Sequence, residues 1–256
     1  MFGWLTERRR RKLEQAPFPA HWQPFLADNV AIFDRLDAAH QERLRDLTVV
    51  FIDEKTWEGC NGFEITEEVQ VTIAAQACVL LLGREHALYE DVDSILVYPT
   101  TMVAPPRKRG FFEIGNTVED SETALHGQAW LKGPVILAWD DVVSGGRGHG
   151  KRNVVFHEFA HKIDMHDGTI DGTPPLDSSA ARRAWAEVCS KAFNELRERV
   201  EGGKQSFLDD YGATNEAEFF AVATETYFIR PARLRAEEPE LYAILADFYR
   251  FEPPER

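Results

Sequence analysis

The sequence predicts an α+β fold in which a small mixed sheet leads into a helix bearing paired imidazoles, and a later helix returns a carboxylate to them. Three observations carry this reading. The stretch Asn153 to Asp164 has apolar residues at helical spacing, with His157 and His161 one turn apart on one face. The segments 94–99 and 133–139 are short and apolar and are punctuated by Pro99 and Pro134, as strands are. After Asn215 a helical pattern restarts, with Glu218 in its first turn.

A chain of 256 residues can bury a large core. The expected organisation is one domain over residues 23–256, preceded by a basic, flexible segment over residues 1–22. That segment places Arg8, Arg9, Arg10, Arg11 and Lys12 after a short apolar tip, which is the reverse of a secretory signal and suits a solvated, frayed terminus. A formal net charge of -14 argues against a nucleic-acid footprint. Cys60, Cys78 and Cys189 are odd in number and widely spaced, which favours a reducing compartment over a disulfide framework. No apolar run approaches the length of a membrane span.

Residues 23 to 47 have an apolar helical stripe from Phe25 to Leu47, and Leu47 to Ile52 suits either its extension or a strand. Asn61-Gly62 marks a turn. Thr66 and the acidic residues after it open a largely buried helix that ends near Gly83. Phe111 to Ile114 and Ala129 to Leu131 offer further strands, and residues 129–138 would lie either at the rim of a cleft or inside the sheet. Asp167 to Pro175 reads as a solvated loop, because the calcium-loop pattern lacks its terminal glutamate. Ser178 or Ser179 caps the helix that follows, which runs through Trp185, Phe193 and Leu196.

The chemistry concentrates in His157-Glu158-Phe159-Ala160-His161. Two neutral ring nitrogens at i and i+4 close on one small cation, while Glu158, turned away from the inner positions, reaches a water on it. Zinc suits such a set, being borderline-soft and without geometric preference. The competing reading is a core helix with two satisfied histidines. A zinc site of this kind needs a third protein donor. Glu218 qualifies, yet Asn215 and Glu218 also have the spacing of a capping box, and Glu225 lies on the same face seven residues later. Periodicity leaves Glu218 and Glu225 nearly level, with Glu225 also a possible acceptor for a ligand imidazole. His149 and His166 flank the motif and read as exposed loop residues.

Taken with Tyr211 to Ala221, the HExxH motif resembles the catalytic domain of anthrax lethal factor, a zincin-like metallopeptidase core of the gluzincin type. Over most of its length the chain more closely resembles the bacterial Mlc titration factor A family, cytoplasmic zinc-dependent peptidases that share this core. The resemblance implies one zinc ion at His157, His161 and Glu218, with Glu218 preferred over Glu225. It further implies general-base action by Glu158 and oxyanion support from Tyr211. It also implies aminopeptidase-like turnover of small peptide substrates and binding of a glucose-responsive, Mlc-type repressor. Two other functions remain in view: a non-catalytic protein that sequesters a transcription regulator, and a non-peptidase metal hydrolase.

Overall fold

The computed structural model describes residues 3–100, 102–103, 124–125, 127–129, 133–148 and 150–255. The expected strand at Phe111 to Ile114, the end of that at Ala129 to Leu131, and His149 lie outside the described residues. Helices α1 (Gly3–Glu14), α2 (Gln23–Asn29) and α3 (Ala38–Glu54) come first, then β1 (Thr56–Gly59) and α4 (Glu67–Val79). The middle of the chain holds β2 (Ser94–Tyr98), β3 (Met102–Val103), β4 (Ala124–Leu125), β5 (Gly127–Ala129) and β6 (Val135–Ala138). The rest is helical: α5 (Trp139–Gly146), α6 (Val154–Asp164), α7 (Ser179–Glu201), α8 (Glu216–Ile229), α9 (Pro231–Glu237) and α10 (Pro239–Tyr249).

The fold is α+β, as the pattern of elements predicts. One sheet has the order β1-β2-β6-β5, with β1, β2 and β6 parallel and β5 antiparallel to β6. A second pair, β3 and β4, is antiparallel. Ile95 and Val97 pair with Val135 and Leu137, and all four are buried, so alternate residues of β2 and β6 line the core. The β6 strand is therefore interior, and among the described residues β1 and β5 end the sheet, with β5 the end strand next to β6. Both β5 and β6 contact α6.

Helix α4 is buried on every side from Val71 to Val79, the condition of a helix apolar all round. It touches α2, α3, α5 and α6, and so forms the floor beneath the paired imidazoles. Thr66 caps it by accepting the Val69 amide. The helix stops at Val79 rather than Gly83, because the amides of Leu80, Leu81 and Leu82 bond carbonyls three residues back in tighter turns. The apolar face of α6 also packs beside this floor through Phe159, whose ring lies 5.6 Å from Phe51 of α3 and 4.8 Å from Tyr89 in the turn over His86–Tyr89. On the other side Phe156 meets Phe228 of α8 at 5.5 Å.

In the amino-terminal third one expectation changes and one open alternative is settled. The single helix over 23–47 is two helices, since the Ala31 amide leaves the helical ladder to bond Gly146 O at 2.8 Å, and Asp37 restarts the chain by accepting the His40 amide. A β-carbon on Gly146 would lie 2.2 Å from Asn29 O, so only glycine allows that approach. Leu47 to Ile52 belongs to α3, and β1, not foreseen, follows it. In the basic block, Arg9 and Arg10 on α1 pair with Asp53 and Glu54 of α3, Arg10 through both carboxylate oxygens.

The exit loop of α6 is stapled to the core by a carboxylate. Asp164 is fully buried; its Oδ2 accepts the Gly172 amide at 3.0 Å, and its Oδ1 has no partner. Trp185 of α7 donates to Gly172 O at 3.0 Å. Gly172, at φ +74°, is so close to the start of α8 that a β-carbon would lie 2.3 Å from Glu216 O. Burial raises the Asp164 carboxyl from 3.8 to about 6. With the folded value above the unfolded one, the protonated form is favoured in the fold, and ionisation costs stability as pH rises through this range. Asp164→Asn should therefore gain thermal stability over the parent between pH 5 and pH 8. The gain should amount to a few degrees, as expected for roughly 1–2 kcal/mol. Melting curves of both proteins under identical metal conditions check this, and a pH-independent difference would refute it.

Candidate metal centre

Helix α6 begins at Asn153, whose Oδ1 accepts the Phe156 amide at 2.9 Å, a cap worth about 1 kcal/mol. From that fixed start His157 and His161 emerge one turn apart, and their Nε2 atoms lie 3.2 Å from each other. Helix α8 crosses α6 and brings Glu218 to the same point: its Oε2 is 3.0 Å from His157 Nε2 and 3.3 Å from His161 Nε2. Among the described residues this is the one group of three or more His, Cys, Asp or Glu side chains whose donor atoms converge as a metal site requires.

The donor set fits a small tetrahedral cation. An ion with bonds of about 2.1 Å holds its ligand atoms roughly 3.4 Å apart, close to the separations of this triangle. The charges fit as well. Burial works against ionisation of Glu218, but hydrogen bonds from His157 and His161 hold its carboxyl well below the usual range. Burial likewise opposes the His157 cation, yet the Glu218 and Glu225 carboxylates raise that imidazole to about 10. The pocket is built to stabilise positive charge at the point where the three donors meet.

The two glutamates of α8 divide the work. Glu225 accepts from His157 Nδ1 at 2.8 Å and from the Asn153 amide at 2.6 Å, so it faces the outer side of the ring. A cation replacing the Nε2 proton would find the Nδ1 proton held by Glu225 and Nε2 directed at the meeting point of the three donors. Glu218 sits on the inner side. Half of the capping box also exists, since Asn215 Oδ1 accepts the Glu218 amide at 2.9 Å, while the Glu218 carboxylate turns to the imidazoles.

Glu158 is 3% exposed, and its Oε2 has no hydrogen-bond partner. Burial raises its carboxyl above the ordinary range, against the pull of His157 and His161. A buried carboxylate oxygen without a partner costs about 1–3 kcal/mol, and Glu158 carries that cost next to the paired imidazoles. Tyr211 is 43% exposed; its ring lies 6.0 Å from that of His157, and its hydroxyl donates to Glu218 Oε1 at 3.3 Å. Burial and the Glu218 charge push the phenol up to about 12, which keeps it a donor.

Several supporting residues went unread in the sequence. Asn153 Nδ2 donates to Gln76 Oε1 at 2.8 Å, and Gln76 donates to Val142 O at 3.1 Å, so α4 holds the start of the metal helix from below. A lone glutamine within the apolar run of α4 was the available signal. Arg152 forks onto Asp209 with bonds of 2.9 and 2.7 Å. With side chains 60% and 33% exposed, that pair adds only about 0–1 kcal/mol to stability, so its importance is geometric. His166 is not an exposed loop residue: its Nδ1 is buried, and it lines a cavity of about 180 Å³ with Lys162 and Asp91. Asp167 and Asp171 fold the loop locally by accepting the amides of Thr169 and Thr173.

Comparison with known proteins agrees with this geometry. The chain is 36% identical over 252 residues to an uncharacterized protein of Synechocystis sp., spanning 98% of this chain and 90% of that one. It is 29% identical over 242 residues to Mlc titration factor A of Serratia proteamaculans, spanning 93% of this chain and 90% of the other. It is also 29% identical over 237 residues to Mlc titration factor A of Salmonella agona, spanning 92% and 87%. The profile of a family described as glucose-regulated metallo-peptidase M90 matches residues 4–250. With a His-His-Glu centre assembled from two crossing helices, and with that match running nearly end to end, this chain belongs to the glucose-regulated metallo-peptidase M90 family.

Proposed function

We propose that the protein is a zinc-dependent peptidase of the gluzincin type, aminopeptidase-like on small peptides. Zinc would be held by His157, His161 and Glu218. The observation that carries this reading is the triangle of donor atoms beside a buried, unpartnered Glu158 oxygen. A bound zinc ion supplies Lewis acidity, making water acidic and a peptide carbonyl electrophilic.

The residues of the chain do the rest. Glu158 takes the proton of the attacking water and passes it to the departing amine, a role suited to a carboxylate whose basicity burial has increased. Tyr211 donates to the oxygen on which negative charge develops, leaving its contact with Glu218 to do so. Glu225 holds the His157 ring in place. An extended substrate would add as a strand along β5, the end strand of the sheet beside α6.

The relatives from Serratia proteamaculans and Salmonella agona are among those named Mlc titration factor A, and on that basis we extend the proposal to binding of an Mlc-type repressor. Residues 23–256 would form the catalytic domain, with α1 docked at its margin. No helix among the described residues is long and apolar enough to cross a membrane, and a cytoplasmic site of action is part of the proposal.

Turnover of a panel of amino-acid amides and short peptides, with and without chelator, tests the activity. Glu158→Gln should keep zinc and lose turnover by at least about a hundredfold, the usual scale of a general base. Near-parental turnover by the zinc-loaded variant would remove Glu158 from the mechanism. Should the same variant still bind a purified Mlc-type repressor, the binding function is separate from catalysis.

The ligand set has its own test. His157→Ala and His161→Ala should each lose zinc after chelation and reconstitution. Glu218→Gln should weaken zinc binding strongly, because a neutral amide replaces an anionic donor, while Glu225→Gln should weaken it by about 10–100-fold through the ring it orients. Zinc dissociation constants that show Glu225→Gln far worse than Glu218→Gln would transfer the ligand role to Glu225.

A further inference from the structure

Resting on the proposed role of Tyr211, we infer that Arg152 is a positioning residue that locks Tyr211 against the start of the metal helix through Asp209. Arg152 immediately precedes the cap of α6, and its guanidinium grips both oxygens of Asp209. Asp209 in turn accepts the Tyr211 amide at 3.0 Å, opening a short 3-10 turn over Asp210–Ala213. The other side of Tyr211 is held by Thr214, whose hydroxyl donates to Tyr211 O at 2.7 Å. Gly212 fits the turn against α7 and α8, where a β-carbon would lie 3.2 Å from both Leu196 and Val222.

The dipeptide Arg152-Asn153 therefore reaches in two directions. The Arg152 side chain fixes the Tyr211 turn, and the Asn153 amide fixes Glu225 of α8. Tyr211 is exposed at the mouth of the site, so packing alone does not set its ring. A hydroxyl displaced by an ångström from the developing oxyanion forfeits much of its effect, which is why an exposed donor needs a rigid backbone. The Arg152 charge also draws the phenol toward acidity, opposing the carboxylates of Glu218 and Glu158. The pair is two-toothed and planar, a geometry that lysine cannot reproduce.

The test compares Arg152→Ala, Arg152→Lys and Asp209→Asn with the parent, alone and combined with Tyr211→Phe. Asp209→Asn keeps an acceptor for the Tyr211 amide but weakens the fork, and so separates the two functions of that carboxylate. Zinc content should match the parent in all three single variants. Amide hydrogen exchange in residues 210–214 should quicken by about tenfold in Arg152→Ala, with α6 and α8 unchanged. On the best-cleaved amide of the panel, kcat should fall by about tenfold with little change in KM, Arg152→Lys falling between. Adding Arg152→Ala to Tyr211→Phe should cost nothing further.

Unchanged exchange at 210–214 would overturn the inference, as would an equal loss of kcat with and without the Tyr211 hydroxyl. If Tyr211→Phe alone leaves kcat intact, the catalytic purpose of the lock is refuted. A parent protein without chelator-sensitive turnover would instead defeat the peptidase reading, and the exchange measurement would still decide whether Arg152 holds the turn.

Discussion

The carboxylate of Glu225 sits between a backbone amide and an imidazole, and much of the site depends on that one group. Its Oε2 takes the Asn153 amide, which precedes the first turn of α6 and has no helical partner of its own, and its Oε1 takes the outer nitrogen of His157. Removing it would leave an unpaired amide and an imidazole free to turn over, both in a region closed to water. A buried charge of this kind is tolerated because both oxygens are used, and it registers α8 against α6 in the one alignment that also delivers Glu218.

That registration continues downward as a polar chain inside an apolar core. Asn153 bonds Gln76, which reaches Val142 O, and Asn29 bonds Thr72 and Glu68 one or two turns away on α4. Hydrophobic contact by itself would let α6 slide or rotate over the surface of α4 at small cost. Directional bonds made in a low dielectric are lost in any other register, so the chain converts a greasy contact into a fixed one. The aromatic contacts of Phe159 with Phe51 and Tyr89 supply cohesion, and the amides supply position.

A site arranged this way is held firmly where the three donor atoms converge and is open at its mouth. His157, His161 and Glu218 come from helices held on several sides, whereas Tyr211 stands exposed on a short turn and β5 is an edge. The rigid part suits a cation whose donors must not relax away from it. The open part is where the proposed peptide substrate would enter. Three carboxylates of this acidic chain meet here in different surroundings: Glu218 faces both imidazole Nε2 atoms, Glu225 faces the outer nitrogen of His157, and Glu158 has an oxygen without a partner.

What the sequence determined by itself was what depends on neighbours within a turn or two. The i, i+4 imidazoles, the caps at Thr66, Ser178 and Asn215, and the buried character of α4 follow from side-chain pattern and from hydrogen bonds spanning three residues. The tertiary structure decided everything that joins distant segments. Glu218 and Glu225 share a helical face, and only the crossing of α8 over α6 puts one against Nε2 and the other against Nδ1. The break between α2 and α3 arises because the Ala31 amide finds Gly146, far along the chain, and the basic α1 is ordered by acids on α3 that no local pattern links to it. Arg152 meets Asp209 across 57 residues and Asn153 meets Gln76 across 77, separations at which periodicity carries no information and packing alone selects the partner.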